Sequence, residues 1–487
     1  MSNEVNKSKI LSSLFWKLME RGGTQGIQFI VQIVLARLLI PEDYGIIALV
    51  TIFIIVANVF VQSGFNTALI QKKDANEADF SSVFYLSLFV ASVLYVIFFF
   101  AAPLIAAFFE EPQLISVLRV LSVTLFFGAF NSIQNAIVAR KMQFKKLFFS
   151  SLGAIVVSGT VGIVMAYAGF GVWALVVQQI TNQLLTNAIL WFTVKWRPRL
   201  LFSFKRVKSL FSYGWKLLVS SLIDRLSRDL SSLIIGKIYN AEMLGFYNRG
   251  KQLPELIVTN INGSIQSVML PALASQQDNR QRVKEMVRRS IVTSSFILFP
   301  MMVGLAVIAK PLVKILLTEK WIPCVPFLQI YCISYSLWPI HTANLQAINA
   351  LGRSDIFLKL EIIKKILGLA ILGVTVFYGV YAIALGSIIN GLISTIINSF
   401  PNGKLLNYSY KEQWKDITPS LLLSLVMGAA VYNVQLFGMT EWPTLIVQGF
   451  VGIILYVGMA RIFKLECFTY LLLTCKDILT NRKGVTL

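Results

Sequence analysis

Long apolar runs separated by short polar connectors dominate the chain and predict an all-α, polytopic membrane protein. Cut at turn signals and charges, the sequence yields fourteen apolar spans, each near the roughly 20 residues that cross a bilayer as a helix. Six run over Leu14–Ile40, Tyr44–Ile70, Ser81–Phe109, Leu114–Ala139, Leu147–Ala168 and Gly171–Val194. Six more run over Leu210–Ile238, Met243–Leu273, Ile291–Leu317, Cys324–Leu351, Phe357–Tyr378 and Val380–Phe400, and two close the chain at Ile417–Phe437 and Trp442–Phe463. The expected organisation is an N-terminal lobe over 1–194, a basic cytoplasmic linker over 195–209, a C-terminal lobe over 210–400, and two last helices with a basic tail over 401–487.

Within some spans the pattern is amphipathic. In the seventh, Ser220, Ser221, Asp224, Arg225, Ser227, Arg228, Ser231 and Ser232 fall on one side of a 100°-per-residue wheel, and Leu222, Ile223, Leu226, Leu230, Leu233 and Ile234 on the other. In the eighth, Asn248, Gln252, Glu255, Thr259, Asn262 and Gln266 alternate steps of four and three, which stacks them in one stripe, flanked at its start by Arg249 and Lys251. The first span carries Lys17, Arg21, Gln25, Gln28 and Gln32 in the same manner, and Lys216 adds a cation to the seventh. A charge at the bilayer centre costs about 2.5–3.5 kcal/mol on insertion scales, so such stripes are expected to face protein or a water-filled chamber. Asp224 with Arg228 and Arg225 with Asp229 are also spaced as i,i+4 ion pairs, a reading in which they only neutralise one another.

An internal repeat emerges from the same layout. Pro41-Glu42-Asp43-Tyr44-Gly45 returns as Ala241-Glu242-Met243-Leu244-Gly245, Asn131-Ser132-Ile133-Gln134 as Ala343-Asn344-Leu345-Gln346, and Gly171-Val172-Trp173-Ala174 as Gly379-Val380-Tyr381-Ala382. Two pseudo-symmetric six-helix lobes in parallel orientation plus two C-terminal helices is the simplest arrangement.

Composition sharpens this picture. Charged residues make up 14% of the 487 and hydrophobic ones 56%, against about 25% charged in ordinary soluble chains. The net charge of +21 sits mostly in the N-terminus and in alternate connectors, which predicts both termini cytoplasmic by the positive-inside rule and argues against a nucleic-acid surface. Four cysteines have no metal-ligand spacing. The one histidine, His341, has no nucleophile at a recognisable spacing, and its expected place is the lining of a pore. Without a phosphate-cradling Gly-rich lysine motif, the chain is not expected to hydrolyse ATP, nor to be an enzyme or to need a cofactor.

The chemistry on offer is recognition inside a membrane. Arg21, Lys216, Arg225, Arg228, Arg249 and Lys251 suit an anion, plausibly a phosphate or pyrophosphate. Gln25, Gln28, Asn248, Gln252, Asn262 and Gln266 suit sugar hydroxyls or, equally, interhelical hydrogen bonds.

In the order of its spans, the turn Leu38-Leu39-Ile40-Pro41-Glu42-Asp43-Tyr44-Gly45, the exit Ala139-Arg140-Lys141-Met142-Gln143-Phe144 and the segment Gly245-Phe246-Tyr247-Asn248-Arg249, the chain resembles the polysaccharide transporter family. That family lies in the multidrug/oligosaccharidyl-lipid/polysaccharide superfamily, and the likeness is to its colanic-acid and teichuronic-acid exporter branch. The resemblance implies flipping of an undecaprenyl-pyrophosphate-linked oligosaccharide across the bacterial cytoplasmic membrane by alternating access, with glycan polymerase and glycosyltransferases as partners. It implies head-group contact by Arg21, Arg225, Arg228 and Arg249, and coupling to an H+ or Na+ gradient or to the membrane potential through Asp224, Asp229 or Glu255. A lipid II flippase and a cation-coupled multidrug extruder share the superfamily; the net basic lining does not suit cationic drugs. A membrane scaffold without transport activity does not require polar stripes in its spans.

Overall fold

The computed structural model describes the backbone of residues 7–62, 65–72 and 74–473, and their side chains except at 7–15, 17, 18, 21, 66, 67, 71, 213, 264, 267 and 268. The described chain is helical, with no strand among the described residues. It forms two compact units, Met1–Gly245 and Phe246–Leu487.

The first unit contains α1 (Lys7–Leu38), α2 (Pro41–Gln62), α3 (Phe65–Gln71), α4 (Glu77–Phe109), α5 (Gln113–Leu121), α6 (Thr124–Lys141), α7 (Phe144–Tyr167), α8 (Val172–Val194) and α9 (Phe204–Ile238). α10 (Ala241–Ala274) begins as it ends. The second unit continues with α11 (Arg280–Val307), α12 (Ala309–Leu317), α13 (Val325–Ser336), α14 (Trp338–Ala350), α15 (Ser354–Thr375), α16 (Val380–Leu405), α17 (Tyr410–Asn433) and α18 (Glu441–Ile462).

Among the described residues, eight helical stretches are long and apolar enough to cross a membrane, α2, α4, α5 with α6, α7, α11, α16, α17 and α18. The other expected spans fall on α1, α8, α9, α10, α13 with α14, and α15. Several of these are the helices with polar stripes, whose Lys, Arg, Gln and Asn lower their mean hydropathy. The fourth and tenth spans are each broken, at Ser122–Val123 between α5 and α6 and at Leu337 between α13 and α14. The expected ninth span ends earlier, at Val307, and its last residues form the separate helix α12.

In the first unit α7 packs between α1 and α8, and α2 against α6 and α9. One core of this unit joins Phe65 and Leu69 of α3, Phe80 and Phe84 of α4, Ile133 and Ile137 of α6, Leu190 of α8, Trp196, and Val207 and Leu210 of α9. The basic connector is part of this core rather than a loose tether. Trp196 Nε1 donates to Glu77 (3.2 Å), and the amides of Arg199 and Ser203 donate to the hydroxyls of Ser81 (3.0 Å) and Ser82 (2.9 Å).

Asp79 organises the same corner. Asn76 and Asp79 form a reciprocal capping box at the start of α4, which satisfies amides that a helix start leaves unpaired. The fully buried Asp79 carboxylate also pairs with Lys72 (2.8 Å) and Arg206 (3.3 Å). Arg140, in the exit of the fourth span, donates to the carbonyls of Leu69 (2.5 Å) and Lys72 (2.6 Å).

The repeat seen in the sequence has a structural counterpart. Gly171 and Gly379 both precede a helix with positive φ, 53° and 108°, a backbone region that side chains disfavour. Gly45 and Gly245 bring the first turns of α2 and α10 together: a Cβ on Gly45 would lie 1.7 Å from the carbonyl oxygen of Ala241, and one on Gly245 would lie 2.1 Å from that of Pro41. The first turns of α2 and α10 thus meet reciprocally, backbone against backbone.

In the second unit α11 packs on α17, α13 and α14 on α16, and α15 on α16. Val283, Val287, Ile291, Phe299, Ile340, Ala343, Tyr408 and Ile417 belong to one of its cores. Arg288 bonds Asp416 through Nε (2.9 Å) and Nη2 (3.0 Å), Tyr408 donates its hydroxyl to the same carboxylate (2.8 Å), and Lys284 pairs with Glu412 (2.9 Å). Cys324, Cys332 and Cys467 are buried free thiols.

Candidate functional site

α9 carries the charged stripe, and its neighbours explain its position. Its ends are held by burial of Val207 and Leu210 at one end and Ile235 and Gly236 at the other, and it packs on α2, α3 and α4. Between these anchors the helix keeps a polar and an apolar exposed face. Lys216, Ser220, Ser221, Ser227 and Arg228 are exposed, and so are Trp215, Val219, Ile223 and Leu226, which follow each other by one turn of helix. The apolar stripe suits lipid; the polar one is left uncovered by its own unit.

Both i,i+4 ion pairs form. Arg228 donates to Asp224 at 2.7 Å with side chains 59% and 50% exposed, and Arg225 Nε lies 3.6 Å from Asp229. The pairing cancels the charges of these four residues and leaves Lys216 as the net cation of the face, without removing hydrogen-bonding capacity, since a guanidinium has five donors.

On α10 the expected stripe is partly realised. Gln252, Thr259 and Gln266 are exposed, and Asn248 and Glu255 are half-buried. Asn262 departs from it: only 6% exposed, it faces protein, and its Oδ1 finds no hydrogen-bond partner among the described residues. The cations at the head of α10 rest on aromatic side chains that sequence reading did not single out. Arg249 donates to Gln252 (2.6 Å) and stands 5.3 Å from the ring centre of the buried Trp321, and Lys251 stands 5.9 Å from that of Tyr331. Tyr331 in turn shares a hydroxyl–hydroxyl bond with Tyr247. Gly250 permits this packing, because a Cβ there would meet Phe327 and the carbonyl of Cys324 at 2.6 and 2.7 Å. Cations held over aromatic faces keep their charge available to a ligand while their stems are fixed.

On α1, Gln25 and Gln32 are half-buried and Gln28 is exposed, while the side chains of Lys17 and Arg21 lie outside the described residues. His341 is not at an open polar surface as expected. It is buried in the second unit, its ring nitrogens 3.2 Å from Thr395 Oγ1 and Asn398 Nδ2. The sequence reading also passed over the charges of α15, where Lys364 pairs with Glu361.

Comparison with known proteins places the chain. It is 24% identical over 457 residues to the lipopolysaccharide biosynthesis protein WzxC of Escherichia coli (strain K12), covering 92% of this chain and 89% of that one. It is 24% identical over 430 residues to the succinoglycan biosynthesis transport protein ExoT of Rhizobium meliloti (strain 1021), covering 86% and 83%. Teichuronic acid biosynthesis protein TuaB of Bacillus subtilis (strain 168) is 23% identical over 393 residues, with 78% and 79% covered. Among solved structures, the inward closed conformation of lipid II flippase MurJ shares the fold with a TM-score of 0.75 at 17% identity, covering 92% of this chain and 98% of that one. An inward-facing multidrug resistance MATE family transporter follows with a TM-score of 0.59 at 16% identity, covering 81% and 95%. The family described as polysaccharide biosynthesis protein matches residues 34–326, more than half of the chain, and this polytopic membrane protein belongs to it.

Proposed function

We propose that the chain is a flippase that carries undecaprenyl-pyrophosphate-linked oligosaccharide repeat units from the cytoplasmic to the outer leaflet of the cytoplasmic membrane by alternating access. The observation that carries this reading is the exposed guanidinium face of α9, kept on a membrane helix of a polysaccharide biosynthesis family member at a cost that only function repays. In the first unit Arg225, Arg228, Arg21 and Lys216 offer charge-assisted bonds to an anionic head group, with Gln25 and Gln28 for sugar hydroxyls; in the second, Arg249 and Lys251 offer the same, with Gln252, Asn248, Gln266 and Asn262. Asp224 and Asp229 hold the arginines until the diphosphate replaces them. The polyprenyl tail stays in the bilayer, both termini are cytoplasmic, and polymerase and glycosyltransferases act on either side of the step.

The test is a deletion strain. Its undecaprenyl-linked glycans are expected to include a completed repeat unit that accumulates while surface polysaccharide is lost, both reversed by the intact gene. Charge-assisted hydrogen bonds contribute about 1.5–3 kcal/mol each, so a double variant R225Q/R228Q at normal protein level is expected to lose at least roughly tenfold in export. Unchanged glycans and polysaccharide in the deletion strain would overturn the reading in favour of lipid II or drug transport.

A further inference from the structure

α15 carries an ion pair in a place where ion pairs are expensive. Lys364 is the eleventh of its 22 residues, so at 1.5 Å per residue it lies about 15 Å from either end, which in a spanning helix is near the middle of a roughly 30 Å hydrocarbon core. Its ammonium contacts Glu361 one turn earlier, with side chains 14% and 30% exposed. Leu358, Ile362, Ile363, Ile366 and Leu369 occupy the opposite, exposed face. The pair therefore points into the second unit rather than toward lipid.

The elements packed against α15 are α14, α16 and the single 3-10 turn Val376–Tyr378. From α14 comes His341, buried and bonded to α16. From α16 come Thr395 and Asn398, neither ionisable; the only ionisable side chains of that helix, Tyr381 and Lys404, sit near its two ends, and Tyr378 closes the far end of the turn. α15 itself adds Asp355, Lys359 and Lys365. His341 does not serve as a counter-charge. Its ring nitrogens lie 3.2 Å from Thr395 Oγ1 and Asn398 Nδ2, and the Thr395 hydroxyl donates to the Gly391 carbonyl (2.9 Å). Glu361 is the carboxylate whose oxygen meets the Lys364 ammonium.

We propose that Glu361 is the proton-accepting group that couples transport to the proton gradient, with Lys364 as the charge it releases. When Glu361 takes a proton from water, Lys364 keeps its own and loses its counter-ion, so the unit gains one positive charge in the membrane interior. An uncompensated ammonium at that depth favours a conformation that admits water or an anionic head group. The inference rests on the transport reading above and moves the coupling role from Asp224, Asp229 and Glu255 to α15.

The experiment uses full-length protein in proteoliposomes that enclose a pH dye, with lipid-linked glycan extracted from the deletion strain as the probe. Wild type is expected to move protons together with glycan. Glu361→Gln, at equal reconstituted amount, is expected to lose both by at least tenfold. The neutral double variant E361Q/K364Q separates coupling from folding: it restores charge balance, so a merely structural pair predicts normal transport, whereas the proposal predicts that the proton flux stays lost. Wild-type flipping without proton flux, or flux within twofold of wild type in either variant, overturns the inference alone. Failure of the wild type to flip the glycan overturns the transport reading, and the coupling role with it.

Discussion

At the scale of single residues, the strongest constraint is the approach of Gly45 to the Ala241 carbonyl and of Gly245 to the Pro41 carbonyl. The atoms in the way belong to backbone, which cannot rotate aside as a side chain would. Overpacking of this kind costs about 1–3 kcal/mol or more. Gly45→Ala and Gly245→Ala are each expected to lower the melting temperature of the detergent-solubilised protein, and by similar amounts because the contact is reciprocal. Two alanine variants with unshifted melting would show that the first turns of α2 and α10 do not meet in this way. The sequence made the correspondence of Gly45 with Gly245 legible. Their contact was not, because a repeat states equivalence and says nothing about which equivalent surfaces touch.

At the scale of elements, two helix boundaries make opposite electrostatic predictions. At the start of α4 the buried Asp79 carboxylate answers Lys72, Arg206 and the Asn76 amide at once. Breaking a buried pair costs about 3–5 kcal/mol, and the partial exposure of Lys72 and Arg206 reduces this to roughly 2–3 kcal/mol. Asp79→Asn should therefore lower the melting temperature by roughly 2–3 °C; a shift under about 0.5 °C would remove the carboxylate from the centre of that corner.

Between α4 and α5, burial pushes the Glu111 carboxyl above its ordinary value of 4.5 and the neighbouring Glu42 pushes it further, against a hydrogen bond from the Ala241 backbone. The folded state then holds the Glu111 proton more tightly than the unfolded state does. Stability from this group is gained as pH falls through its raised value and lost as pH rises past it. Glu111→Gln is expected to flatten that part of the melting-temperature profile above pH 4.5 and to stabilise slightly at neutral pH, by less than about 1 kcal/mol given its exposure. A variant profile parallel to wild type throughout would contradict the assignment.

The candidate site was legible in part at this scale. Charged and amide residues on α9 and α10 stand out by their period, and the ion pairs of α9 follow from i,i+4 spacing. The aromatic seats of Arg249 and Lys251 did not stand out, because Trp321 and Tyr331 lie some 80 residues further along the chain and no local pattern links them. Nor did Lys364, whose neighbours made α15 read as one more apolar span. Asn262 shared the stripe's spacing yet is buried, since a helix face continues past the point where its neighbour begins.

At the scale of the whole molecule, an apolar fraction that leaves no room for a soluble domain announces the class. Helix breaks at Ser122–Val123 and Leu337 were hidden inside runs of uniform hydropathy. α9 packs on α2, α3 and α4 within the first compact unit. A fragment ending near residue 200 is therefore expected to be degraded or aggregated, whereas one ending at Gly245 should elute from size-exclusion chromatography as a single species. Equal behaviour of the two fragments would show that the helices before residue 200 complete their own packing.

The meeting of Gly45 with Ala241 also has a history within each molecule's lifetime. About 200 residues separate the two sides of the contact, and synthesis at about 5–20 residues per second puts roughly 10–40 s between their emergence from the ribosome. For that interval the first turn of α2 waits in or beside the membrane with its glycine surface bare. Quality control in the cell thus meets this protein first as a half-made intermediate, with a glycine surface that the finished fold no longer displays.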